Sequence, residues 1–191
     1  MHTFNKISIL LLFVLSACNL PAQGQPAPGL TGVPVTAPAS KTDTPLQDNP
    51  STECGFVWAR ESLPDLSKEF DAALKAVLPQ ASGYAEAYGE NCINSQGEVV
   101  RFLAMETDFY ATLEVETLED KQALGEFAEQ VLSVLAGFPV GSTPGPQAGY
   151  VGITFQSPSD ELRLWFTRSD AEAALENGLR GEDLFNSLQA R

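Results

Sequence analysis

Basic residues are scarce. The 191-residue chain has 11 Lys/Arg against 25 Asp/Glu, a formal net charge of −14. A nucleic-acid surface needs clustered cations to displace counterions from phosphate, so nucleic acid is excluded as a partner. Histidine is rarer still, with His2 the single example. Cysteine numbers three, too few for a small disulfide-built scaffold or a multi-cysteine zinc site. Long apolar runs are also missing. The longest, Ile7 to Leu15, has nine residues. On a helix it rises about 14 Å, less than half of a hydrocarbon core of roughly 30 Å, so it spans no membrane.

That short run has a setting of its own. Residues 1–6 carry Lys6 and no acid, and small residues follow the run, which is the pattern of a secretory signal. The junction Leu15-Ser16-Ala17-Cys18 resembles the lipobox of bacterial lipoproteins: a branched apolar residue, two small ones, then cysteine. The resemblance covers only the first 18 residues. It implies a signal peptide over 1–17, diacylglycerylation of the Cys18 thiol, cleavage before Cys18 and further acylation of the new amine. The plainer alternative is a secretory signal that merely ends near a cysteine; the order and position of the parts favour the lipobox. Two or three acyl chains give lasting attachment where one gives only reversible binding. The rest of the chain is therefore expected outside the cytoplasm, held to the bacterial cell membrane by lipid.

Cleavage would also remove His2 and Lys6. A chain without histidine has no imidazole for Ser-His-Asp or Cys-His catalysis, for the usual catalytic zinc sites or for haem ligation. No cofactor, no metal and no catalytic residue are expected. Cys54 and Cys92 remain. In an oxidising compartment two such cysteines suggest a structural disulfide, and their spacing is far from the CxxC of a redox pair. Free thiols are the other option.

Residues 18–51 form a tether. Seven of the chain's 13 prolines fall there, among Gly, Ala, Ser and Thr, with no hydrophobic period. Such sequence buries too little apolar surface to offset its ordering entropy. Proline-rich chain extends about 3.1 Å per residue, so it suits a spacer from the bilayer.

Residues 52–191 read as one α+β domain. A helix is expected over 62–78, with Ser62 and Asp65 as a capping box and Leu66, Phe70, Leu74, Val77 and Leu78 on one face. Three strands are expected over 84–93, 99–105 and 109–116, with a turn at Asn94–Gly97 and another near Glu106–Asp108. A second helix over 117–136 has Thr117 and Asp120 as its capping pair and an apolar stripe from Leu124 to Leu135. Strands over 150–155 and 162–166 form a hairpin. Ser169 caps a short helix, and 182–188 adds a last amphipathic turn or two. The order is α-βββ-α-ββ-α, a mainly antiparallel sheet of about five strands with helices on one face.

The chemistry is thin. Glu106, Asp108, Glu114, Glu116, Glu119 and Asp120 form an acidic constellation. Glu106 and Asp108, two apart on a strand, have the spacing for paired acid–base work on a glycosidic bond. Against that, acid runs are usually solvated faces, and Glu119 and Asp120 suit a helix N-terminus. Trp58, Tyr84, Tyr88, Tyr110 and Trp165 are candidates for a sugar or peptide platform, though such side chains more often pack in or at the core. Tyr110 shares the outward parity of Glu114 and Glu116 and is the aromatic expected to be exposed. The candidate binding residues are thus Tyr110, Glu106, Asp108, Glu114 and Glu116. The expectation is a non-catalytic, lipid-anchored binding module for an envelope protein or small ligand. Its alternatives are a carboxylate-dependent hydrolase and a structural or assembly factor.

Overall fold

The computed structural model describes residues 54–190. The expected signal peptide, the lipidation site Cys18 and the tether lie outside the described residues. The elements are β1 (Gly55–Ser62), α1 (Pro64–Val77), β2 (Ala81–Ile93), β3 (Val99–Glu114), α2 (Lys121–Leu135), a 3-10 turn (Val140–Ser142), β4 (Gln147–Gln156), β5 (Glu161–Thr167), α3 (Arg168–Glu176) and α4 (Gly181–Gln189). The fold is α+β.

The five strands form one sheet in the order β1-β2-β3-β4-β5. Neighbours run antiparallel except β3 and β4, which are parallel. A parallel pair needs a crossover, and α2 supplies it. Alternate residues of each strand point to opposite faces. On β3, Phe109, Ala111 and Leu113 enter the core with Phe70 and Leu74 of α1, Leu124 and Val131 of α2, Ala171 of α3 and Phe185 of α4. All four helices therefore contribute to one side. The opposite parity, including Asp108, Tyr110 and Thr112 of β3, faces away from them.

On β2 the core side is small: Ala81, Ala85 and Ala87 are buried. Small residues let α1 lie close to the strand, and Phe70 sits over Gly83. The large residues of β2 take the other side as a consequence. Helices α2 and α4 also approach closely. A Cβ at Gly125 would collide with the backbone of Gly181, the first residue of α4.

Cys54 and Cys92 are bonded, with Cα atoms 5.0 Å apart and a sequence separation of 38. The bond ties the start of β1 to β2, as expected.

Several local expectations need correction. Ser62 ends β1 and caps nothing; the cap position of α1 is Leu63, with no side-chain cap bond, and Pro64 opens the helix. Val77 is exposed rather than buried. A strand precedes α1, and the strands between α1 and α2 are two, not three. No turn interrupts 106–108, because β3 runs unbroken for 16 residues. Asp120, not Thr117, caps α2, accepting from the Ala123 amide at 3.0 Å. Thr167, not Ser169, caps α3. The Asn94–Gly97 turn and the β4–β5 hairpin turn at Ser157–Asp160 are both present.

Candidate functional site: the helix-free face of the sheet

Strand register sets the side chains of the uncovered face in rows. One row is Arg60, Tyr88 and Glu106. The next is Ser62, Glu86 and Asp108. The third is Tyr84, Tyr110, Gly152 and Trp165. The fourth is Ser82, Thr112, Thr154 and Arg163. Aromatic rings join these rows. Trp58 stacks on Tyr88 at 5.3 Å, Tyr84 on Tyr110 at 4.5 Å and Tyr150 on Trp165 at 5.2 Å. Tyr110 and Trp165 meet across β4 at 5.6 Å. They can do so because position 152 is glycine: a Cβ there would stand 3.1 Å from both rings. Guanidinium groups border the rings, Arg60 over Tyr88 and Arg163 over Trp165.

Tyr110 is the centre of this layer and is only 6% exposed. Its outward parity is as expected, but its neighbours bury it. Tyr84 covers one ring face, and Arg60 Nη1 donates to its hydroxyl at 3.0 Å. Burial and the nearby Asp108 charge raise its pKa above the ordinary tyrosine value. The exposed aromatics are instead Trp58 and Tyr84, while Tyr88 and Trp165 are half-buried. The expected core or half-buried packing holds for Tyr110, Tyr88 and Trp165 but not for Trp58 and Tyr84, and all five lie on the side away from the helices.

Asp108 is 2% exposed. It sits where the β3–β4 register shifts, and its Oδ1 accepts the Tyr150 amide at 2.8 Å. The carboxylate thus replaces a ladder acceptor at the irregularity. Burial raises its pKa, against the opposing pull of the Tyr150 amide, the Arg60 charge and the Tyr110 hydroxyl. Glu106, also raised, responds to burial first and then to the Asp108 charge. Arg60 lies 3.6 Å from Glu86. Glu86, Glu106, Asp108, Arg60 and Tyr110 therefore form one polar group amid the rings.

Glu114 and Glu116 belong elsewhere. About 20 Å separates Asp108 from Glu114 along an extended strand. With Gln80, Val115 and Gln156 they line an open concavity of about 590 Å³. A second hollow of about 350 Å³, which includes Thr117 and Asp120, adjoins it. The acidic constellation is thus split between the middle of the sheet and one end of it. Among the described residues no group of three or more His, Cys, Asp or Glu could hold a metal, and no helix is long and apolar enough to cross a membrane.

Arg60, Glu86, Tyr150 and Arg163 were not singled out by sequence reasoning. The signal for part of this set was the period of β2. Tyr84, Glu86, Tyr88 and Glu90 alternate with Gly83, Ala85, Ala87 and Gly89. Small residues on one side mean a tightly packed helix there, and large ones on the other mean a face left open.

No family model, curated protein or solved structure matches this chain.

Proposed function

We propose that this chain is a lipid-anchored extracytoplasmic binding module whose helix-free sheet face docks a protein partner at the cell envelope. One observation carries the docking surface: Trp58, Tyr84, Tyr88, Tyr150 and Trp165 gather with Arg60 and Arg163 on a face that none of the described helices covers. Tyr, Trp and Arg are the residues that dominate binding energy at protein interfaces. The rings are held by their own stacking, so little ordering entropy remains to be lost on binding. The surface is broad rather than cleft-like, which suits a protein better than a small ligand. The anchor rests on the Leu15–Cys18 motif and the proline-rich stretch after it.

A photoreactive phenylalanine analogue in place of Tyr84, with Lys68 of α1 as the control position, tests the surface in intact cells. The expected result is a protease-sensitive adduct from position 84 and none from 68. Equal yields from both positions, or an adduct that survives protease, overturns the protein-docking reading. The anchor has its own test: Cys18→Ala should release the chain from membranes, and unchanged detergent partitioning refutes lipidation.

A second reading keeps one specific support. Glu106 and Asp108 are adjacent, share the face and both hold protons more tightly than ordinary carboxyls. That is the condition for a carboxylate-dependent hydrolase. Asp108 is already engaged with the Tyr150 amide, which favours docking over hydrolysis.

A further inference from the structure

β1 is an edge strand paired only with β2. Seven of its eight residues are exposed, and its sequence, GFVWARES, contains neither lysine nor proline. Its register against β2 runs from Gly55↔Ile93 to Ser62↔Glu86 without a shift. Edges of soluble proteins are ordinarily blunted by lysine, proline, bulges or a covering element. Among the described residues β1 has no lysine, proline, bulge or covering element, although Arg60 and Glu61 place two charges on it, and the Cys54–Cys92 bond holds it in place.

The apolar surface is concentrated at the same end. Phe56, Val57 and Trp58 are 51%, 53% and 58% exposed. Val99, Val100 and Leu103, near the start of β3, are exposed across β2 from them. A bilayer would cover these side chains but would leave the unpaired N–H and C=O groups of the edge without partners. Another strand satisfies both.

We infer that β1 pairs antiparallel with β1 of a second copy of this chain, about a two-fold axis near Trp58. The strand is self-complementary in that register. Centred on Trp58, each Phe56 faces the other copy's Arg60 on the helix-free side, a cation–π pair, and each Val57 faces Ala59 on the other side. The stacked Trp58 and Tyr88 rings of the two copies become continuous across the axis. The exposed surface of Phe56, Val57 and Trp58 is on the order of 300 Å² per chain, or about 600 Å² for the pair, below the size of a standard specific interface. The association is therefore weak and reversible. With −14 formal charges on each chain, repulsion opposes it and salt relieves that repulsion. This inference shares Trp58, Tyr88 and Arg60 with the protein-docking reading but rests on the open backbone edge of β1, so a change at Tyr84 separates the two.

Sedimentation equilibrium of the full-length chain, in a detergent made neutrally buoyant, reads protein mass alone. A two-chain species is expected at tens of micromolar, and raising NaCl from 0.05 to 0.5 M should increase it. Val57→Lys should weaken pairing at least tenfold. Val77→Lys, at an equally exposed position on α1, and Tyr84→Ser, on the face, should leave it unchanged. Single-chain mass at every concentration and salt overturns the inference. So does a dimer indifferent to Val57→Lys, or one abolished by Tyr84→Ser. Single-chain mass together with a blue-shifted tryptophan spectrum on phosphatidylcholine vesicles would assign β1 to a lipid surface instead.

Discussion

Arg168 is a cation only 7% exposed, and it has three partners. Nη1 donates to the Phe138 carbonyl at 2.6 Å, Nη2 to Leu135 at 2.9 Å, and Nε meets Glu172 at 3.1 Å. It thereby closes the C-terminal end of α2 from α3. Arg168→Ala removes the side-chain donor to the Phe138 carbonyl and one of two donors to the Leu135 carbonyl, which keeps the Phe138 amide at 2.9 Å, and should cost about 1–3 kcal/mol by urea denaturation. Asp108 is the buried anion, and its consequence is a pH dependence. Its native pKa lies above the ordinary 3.8, so between those two values the native state holds more protons than the unfolded state. Stability is then fullest below the ordinary value and falls as pH rises through the native one. Asp108→Asn retains an acceptor for the Tyr150 amide and does not titrate. Its urea midpoint should fall less than that of the wild type on passing upward through this window. Superimposable profiles contradict the assignment. Glu106 acts in the same direction, whereas Asp71, lowered chiefly by Lys75, loses stability on acidification in both proteins and cancels from the comparison. Neither buried ion was legible in the sequence. Arg168 looks like any charge near a helix start, and Asp108 was read beside Glu106 as solvated, because a single strand does not disclose what its neighbours cover.

Most helices and strands could be read from periodicity, and the failures have a common cause. β1 was passed over because its exposure on both faces leaves no burial alternation to detect. Its neighbour β3 was divided because Glu106, Thr107 and Asp108 form a polar interruption. The sheet absorbs that interruption: Thr107 donates to the Pro144 carbonyl at 2.7 Å, and Asp108 accepts from β4. Caps fall one to three residues from their expected places: Asp120 in place of Thr117 and Thr167 in place of Ser169, where two polar residues compete, and the apolar Leu63 in place of Ser62. Two element-level outcomes follow. Gly125→Ala should force α4 away from α2 and destabilise by roughly 1–3 kcal/mol or more, since the obstruction is backbone and cannot rotate aside. Loss of the disulfide, by reduction or by Cys54→Ser with Cys92→Ser, should cost about 4 kcal/mol for a loop of separation 38. It should also raise hydrogen exchange in β1 first. Uniform exchange across the sheet would mean the bond does not hold that edge.

Across the described residues, the four helices lie on one side of a five-stranded sheet and the tyrosines and tryptophans on the other. Net composition concealed this, because an acidic surplus spread over the chain says nothing about which face collects the rings. Hydroxyl-radical footprinting of the chain in intact envelopes, against the purified chain, measures directly whether that face is occupied. Tyr84, Tyr88, Tyr150 and Trp165 should be protected in the envelope and become reactive after purification, while exposed Val77 on α1 reacts equally in both. Equal reactivity of the four rings in the two preparations would contradict a docking role for the face.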